Sequence, residues 1–252
     1  MNIKIEQVNL LSERRAYYSQ KLQCFEGEFS YPLGQDYFRI IHGAGAKEDY
    51  FSFFEQMGEV YYFVAQDAEK IVGAGCAILR DSNEGKYWYL CDFKVLKDYR
   101  GKGILEKMFR KYFLKCVIKS RKLLAVNMGN GNPKGNGLFN KLKRVFWMFN
   151  VNVSSLNFYS WNKFNIPDGF NHIYHNNGKK DLVVDNNSMM LYHVVRSPLE
   201  NFTQVELDEV PDSSVLMTCV KSSEDTYMSG QSGKGIMISI GLKNPTISTV
   251  EI

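Results

Sequence analysis

Two glycines, Gly101 and Gly103, alternate with Arg100 and Lys102 just ahead of an apolar-periodic run that opens with Ile104 and Leu105. A turn of this kind can do one sort of chemistry, the holding of an anion. Unpaired N–H groups at a helix N-terminus converge on one point, and the helix dipole adds partial positive charge. Glycines let a diphosphate approach the backbone without meeting a Cβ. The competing reading is a plain strand-to-helix turn that happens to hold two glycines.

Other reactive groups lie upstream. Asp92 is a carboxylate inside the aromatic run 87–95, and burial there would raise its pKa. Strand alternation puts Asp92 on the face opposite Cys91 and Phe93. Glu26, Glu28 and Tyr31 fall in 25–34, which its Pro and Gly mark as a loop. Cys91 has no histidine near it in sequence and reads as a small hydrophobe rather than a nucleophile.

These groups need a scaffold, and the periodicity supplies one. Residues 2–8 alternate like an edge strand, and 11–22 read as a helix with Ser12 as N-cap. A short helix is expected over 49–57. Strands over 60–66, 71–79 and 87–95, joined by short turns, form an antiparallel meander. The third strand runs into the glycine turn, a helix over 104–122 and a strand over 123–128. A Gly/Asn-rich loop, 129–137, precedes a helix over 138–149. Strand-like runs follow at 155–161, 181–185, 189–195, 215–220, 235–242 and 246–251. The main α/β unit is expected to span 1–195, with 196–252 as a β-rich extension packed on it.

Composition excludes several classes. With 252 residues, 44% hydrophobic and 23% charged, the chain reads as globular. A net charge of +4 is too weak to argue for nucleic acid. No run approaches a membrane span, and 1–15 lacks a signal-peptide core. Five scattered cysteines without a Cys-x-x-Cys pair fit reduced thiols in a cytoplasmic protein. His172-x-x-His175 has metal-like spacing but no Cys or acidic cluster nearby, so no metal is expected. The run 229–235 lacks the first glycine of a phosphate loop and reads as a hairpin turn.

The segment Tyr99-Arg-Gly-Lys-Gly-Ile104 resembles the pyrophosphate-binding turn of the GNAT N-acetyltransferase superfamily. The family pattern is Gln/Arg-x-x-Gly-x-Gly/Ala. Read on Gly101 and Gly103, it puts Asp98 at the Gln/Arg position; read from Arg100, it puts Leu105 at the Gly/Ala position. A second family motif, Asn-x-x-Ala-x-x-Leu-Tyr, is similar to Asn132-Pro-Lys-Gly135-Asn-Gly-Leu138-Phe139, with Phe in place of Tyr. The runs 25–34 and 88–95 are also similar to a bacterial subgroup of the family.

The resemblance implies a GNAT-type α/β (α+β) fold with a mixed, mostly antiparallel central sheet flanked by helices, and acetyl-CoA as acyl donor. It implies that backbone groups of Phe93 and Val95 pair with the pantetheine arm. It implies that N–H groups of Arg100, Gly101, Lys102, Gly103, Ile104 and Leu105 hold the diphosphate. Asn132 would bind near the pantetheine or phosphates, and Phe139 would sit where the family often has the tyrosine that reprotonates the CoA thiolate. Phe cannot donate that proton. The Lys and Arg residues of the 104–122 helix read as a solvated basic face, from which one or two could reach the 3′-phosphate.

The same resemblance implies direct attack by an amine on the thioester in a splay between the strand ending at Val95 and the strand starting at Leu123. Asp92 is the first candidate for general base, set against a purely structural pairing with Lys or Arg, and Glu28 (with Glu26) is a weaker one. Tyr31 would orient the acceptor. The expected function is therefore N-acetylation of a small amine or a protein amine by a monomer or homodimer. The alternatives are a GNAT-fold module that binds CoA without catalysis, as a sensor or scaffold, and an interaction protein working through 196–252. The tail could cover the acceptor cleft, complete the sheet or form a dimer interface.

Overall fold

Period-two alternation in three consecutive strands decides the architecture. The computed structural model describes residues 3–33, 36–45, 47–129, 132, 137–184, 187–199, 202–225 and 231–252. In chain order the elements are β1 (Ile3–Gln7), α1 (Arg14–Glu26), β2 (Tyr31–Leu33), β3 (Asp36–His42), α2 (Ser52–Glu55), β4 (Glu59–Asp67), β5 (Lys70–Arg80) and β6 (Tyr87–Val95). There follow α3 (Ile104–Lys119), β7 (Leu123–Gly129), α4 (Gly137–Val145), β8 (Val151–Trp161), β9 (His172–His175) and β10 (Lys180–Val184). The last strands are β11 (Asn187–Met189), β12 (Leu191–Val195), β13 (Gln204–Val205), β14 (Val215–Lys221) and β15 (Gln231–Ile240).

In β4, β5 and β6 the residues Tyr62, Val64, Cys76, Ile78, Tyr89 and Cys91 face one side and pack with Leu22 and Phe25 of α1 and Phe53 and Phe54 of α2. Their neighbours Phe63, Ala65, Ala77, Leu79, Trp88 and Leu90 face the other side and pack with Ile104 and Met108 of α3 and Leu142 of α4. A sheet covered on both faces needs apolar residues at every position of its central strand. The run Ile71 to Leu79 in β5 is buried throughout.

The sheet has eleven strands in the order β1-β4-β5-β6-β7-β15-β8-β14-β12-β9-β13, and β11-β10-β3-β2 form a second sheet. Pairing is antiparallel except at β6/β7 and β12/β14. The mixed, mainly antiparallel α/β body expected from the sequence is thus present. The handover placed at 195/196 does not divide the sheet, because β14 and β15 come from the tail and β15 runs between β7 and β8.

Several boundaries differ from expectation. Helix α1 starts at Arg14 and has no side-chain cap. The hydroxyl of Ser12, expected to cap it, donates instead to the Asn9 carbonyl at 2.8 Å. The helix runs on to Glu26, and the expected 25–34 loop contributes β2, which pairs with β3. Residues 249–251 form a 3-10 turn rather than a strand, closed by reciprocal bonds between Ser248 and Glu251. The 229–235 turn falls partly outside the described residues, and 231–235 belong to β15.

Candidate functional site

The site begins with one residue too many in β6. Strands β5 and β6 pair regularly from Arg80/Tyr87 to Cys76/Cys91, then the register slips so that Ala74 faces Lys94. Asp92 takes a positive φ of 56° in the resulting bulge. Alternation fails there, which corrects the expectation that Asp92 faces away from Cys91: Asp92 bonds to Tyr50 and Tyr62 on the Cys91 face, while Phe93 packs on the α3 face. The partner strand makes room for the bulge. A Cβ on Gly75 would lie 2.4 Å from the Phe93 ring, which also packs on Phe109 with ring centroids 5.0 Å apart.

Beyond the bulge, β6 leaves β7. The two pair only at Trp88/Leu123, Tyr89/Leu124 and Leu90/Ala125. The splay opens on two cavities that share Tyr31, Phe93, Lys94, Asn127 and Met128. The larger, about 490 Å³, runs to the glycine turn and is lined there by Arg100, Gly101, Gly103, Ile104 and Leu105. Gly101 and Gly103 have φ of 79° and 71°, and a Cβ on either would meet nothing within 4 Å. These glycines are needed for conformation, and the space beside them is open. Among the described residues no backbone carbonyl accepts from the N–H groups of 101–105. Helix α3, 16 residues long, starts at this point, so its dipole and free donors face the cavity.

Five cofactor expectations change in detail. The Arg100 N–H is already bonded to the Lys97 carbonyl at 3.2 Å, so it is not among the free donors. The Arg100 Nε donates to the Val95 carbonyl at 3.1 Å, which takes up that backbone group. The Lys102 ammonium lies over the Tyr99 ring, 4.6 Å from its centroid, and Lys102 is not in the cavity wall. Lys141 of α4 is in the wall instead. In the second motif, Leu138 lines the cavity, whereas Phe139 packs among apolar side chains on the α3 face of the sheet. Asn132 is exposed and outside the wall, and 133–136, with Gly135, lie outside the described residues.

The smaller cavity, about 110 Å³, has aromatic and charged walls that include Tyr31, His42, Phe53, Phe54, Tyr89, Cys91, Asp92 and Lys94. Behind them is a buried charge cluster. The Lys94 Nζ stands 2.7 Å from Glu26 Oε1 and 2.6 Å from Asp92 Oδ1. Asp92 Oδ2 accepts from the Tyr50 hydroxyl at 2.7 Å and from the Tyr62 hydroxyl. His42 Nδ1 is 2.7 Å from Glu26 Oε1, and the His42 N–H donates to Glu26 Oε2 at 2.9 Å. Burial works against the charge on Glu26, but His42 and Lys94 outweigh it and hold its carboxyl down at about 2. For Lys94, burial opposes the charge, and Asp92 and Glu26 overcome it, raising the ammonium above its ordinary value. For Tyr31, burial raises the hydroxyl against the pull of Lys94.

The three catalytic candidates are thus separated. Tyr31, on β2 rather than a loop, lines both cavities. Asp92 lines the smaller one, but its oxygens are engaged by Lys94 and two tyrosines. Glu28 is exposed and lines a different groove, with Lys21, Cys24 and Glu69. Glu26 and His42 were the pair that sequence reasoning did not join: they are 16 positions apart, on a helix end and a strand that the Pro/Gly pattern hid. Among the described residues no group of three or more His, Cys, Asp or Glu could hold a metal ion, and no helix is long and apolar enough to cross a membrane. His172 and His175 lie on β9, where His172 Nδ1 meets Gln204 and His175 Nδ1 meets Asn177.

Residues 28–125 match the model of the acetyltransferase (GNAT) family. Over those residues the chain is similar to a GNAT acetyltransferase domain. An uncharacterized protein of Acanthamoeba polyphaga mimivirus is 29% identical over 108 residues, covering 39% of this chain and 32% of that protein. The match therefore covers about a third of the length of this curated relative. Among solved structures, a GNAT-family acetyltransferase from Streptococcus pneumoniae aligns with a TM-score of 0.42 at 12% identity, over 67% of this chain and 93% of that one. Arabidopsis thaliana NAA60 in complex with acetyl-CoA aligns with a TM-score of 0.40 at 13% identity, over 74% of this chain and 100% of that one.

Proposed function

We propose that this chain is an acetyl-CoA-dependent N-acetyltransferase that moves the acetyl group directly to an amine. One observation carries the reading: the splay of β6 from β7 joins a cavity ending at the free N–H groups of 101–105 to a second, partly charged cavity. The first suits a long anionic donor, with its diphosphate at the α3 N-terminus and its arm along Phe93 and Val95. The second suits an amine. The thioester would lie between them, where the register skips Asp92 and Phe93, and a strand N–H of the bulge would stabilise the oxyanion.

In this reading the amine nitrogen attacks the carbonyl carbon, the C–S bond breaks, and CoA leaves as a thiolate. Phe139 cannot protonate that thiolate and does not line the cavity. Tyr31 lines both cavities and keeps its proton, so it takes that role. Asp92, tied to Lys94, Tyr50 and Tyr62, shapes the bulge rather than accepting the amine proton.

The test is release of free CoA thiol from acetyl-CoA across a panel of small amines, amino acids and peptide N-termini. Amine-dependent release is expected. Binding of acetyl-CoA with no release by any panel member would contradict catalysis and leave a CoA-binding module.

A further inference from the structure

His42 is a buried titratable group that the sequence offered for no role. Its side chain is 4% exposed and lines the smaller cavity. Glu26 is ionised and can only accept, so His42 Nδ1 must carry the proton of their 2.7 Å bond. In the neutral ring the lone pair is then on Nε2. That nitrogen has no hydrogen-bond partner among the described residues, and it is not among the polar atoms sealed away from the surface. A carboxylate that fixes the tautomer of an imidazole whose other nitrogen is open to a reaction cavity is the arrangement of a base and its orienting group.

We propose that His42, oriented by Glu26, is the general base that takes the proton from the attacking amine. The inference rests on the acetyl-transfer reading above. As the N–C bond forms and the C–S bond breaks, one proton passes from nitrogen to Nε2, directly or through a water, and the departing thiolate gains one proton in return. Charge in the cluster favours the step. Glu26, bonded to Nδ1, carries the negative charge that stabilises a protonated His42.

The other groups facing His42 are Tyr50, whose ring is 5.1 Å away, and Lys180, directly opposite on β10. The rings of Phe53 and Phe54, at 5.1 and 4.9 Å, complete its surroundings. Burial pushes the Lys180 ammonium down to about 8. Above about pH 8 a neutral Lys180 no longer repels the imidazolium as it forms.

Two measurements on the full chain test this. The first is kcat against pH for wild type and His42→Gln, with an amine that the wild type acetylates. The variant should bind acetyl-CoA normally, lose about 10²–10⁴-fold in kcat and lose the acid limb of the profile. The second is the tautomer of His42 in the wild type, read from nitrogen-15 spectra of histidine-labelled protein, where four histidines must be told apart. The proton should be on Nδ1. A proton on Nε2, or a folded variant that keeps wild-type kcat and its acid limb, overturns the proposal. A wild type that turns over no amine overturns instead the acetyl-transfer reading on which it rests.

Discussion

The Phe93 ring occupies the space that a side chain on Gly75 would need, 2.4 Å from where its Cβ would lie. A residue in the middle of β5 thereby decides where the β6 bulge can sit. Gly75→Ala should push the ring off β5 and out of both cavity walls. We expect a loss of about 1–3 kcal/mol in stability, the usual cost of overpacking, with a raised KM for acetyl-CoA. Denaturant midpoints and donor kinetics would show it. Unchanged kinetics would mean that Phe93 does not shape the donor path.

Tyr31→Phe separates proton donation from packing. The ring would remain against Phe38, 5.5 Å between centroids, and only the hydroxyl would go. Because a thiolate is a weakly basic leaving group, we expect kcat to fall by only about ten- to a hundredfold, below or at the low end of general-acid effects. Acetyl-CoA binding should not change. A wild-type kcat would return the thiolate proton to solvent.

The buried charges predict opposite responses at the two ends of the pH scale. Glu26 is lowered from 4.5 to about 2, so its stabilising contribution is complete above 4.5 and is lost as pH falls through that window. Urea midpoints should drop over this range more steeply in wild type than in Glu26→Gln. Burial lowers Lys180 from 10.5 to about 8. Between those values the unfolded chain holds the extra proton, so stability should rise with pH, and Lys180→Met should remove that rise. Equal slopes in variant and wild type would contradict either assignment.

The legible parts of this molecule were the local ones. The meander, the turn at Gly101 and Gly103 and helix α3 follow from periodicity and glycine spacing within some 60 residues. The bulge at Asp92 was hidden because its cause, Gly75, is on the neighbouring strand and alternation looks only along one strand. Glu26 and His42 were hidden because a helix was expected to stop at 22, and Pro32 and Gly34 masked β2 and β3. Phe139 was assigned to the cofactor by its place in a motif, but its neighbour Leu138 lines the cavity and Phe139 does not. The sequence left open whether the tail covers the cleft, completes the sheet or forms an interface; β15 pairs with β7 and β8 over nearly its full length, a long-range choice that no local pattern records.

The central claim, that the turn before α3 holds the diphosphate of acetyl-CoA, is tested most directly by thermal unfolding with and without acetyl-CoA, in wild type and in Gly103→Gln. The variant forces a long side chain onto a φ of 71° and into the open space of the larger cavity. At about 100 times the dissociation constant, acetyl-CoA should add roughly 2.7 kcal/mol to the wild type, raising Tm by about 5–10 °C, and the folded variant should show no such shift. No shift in folded wild type at millimolar acetyl-CoA, or an equal shift in both proteins, would contradict the account.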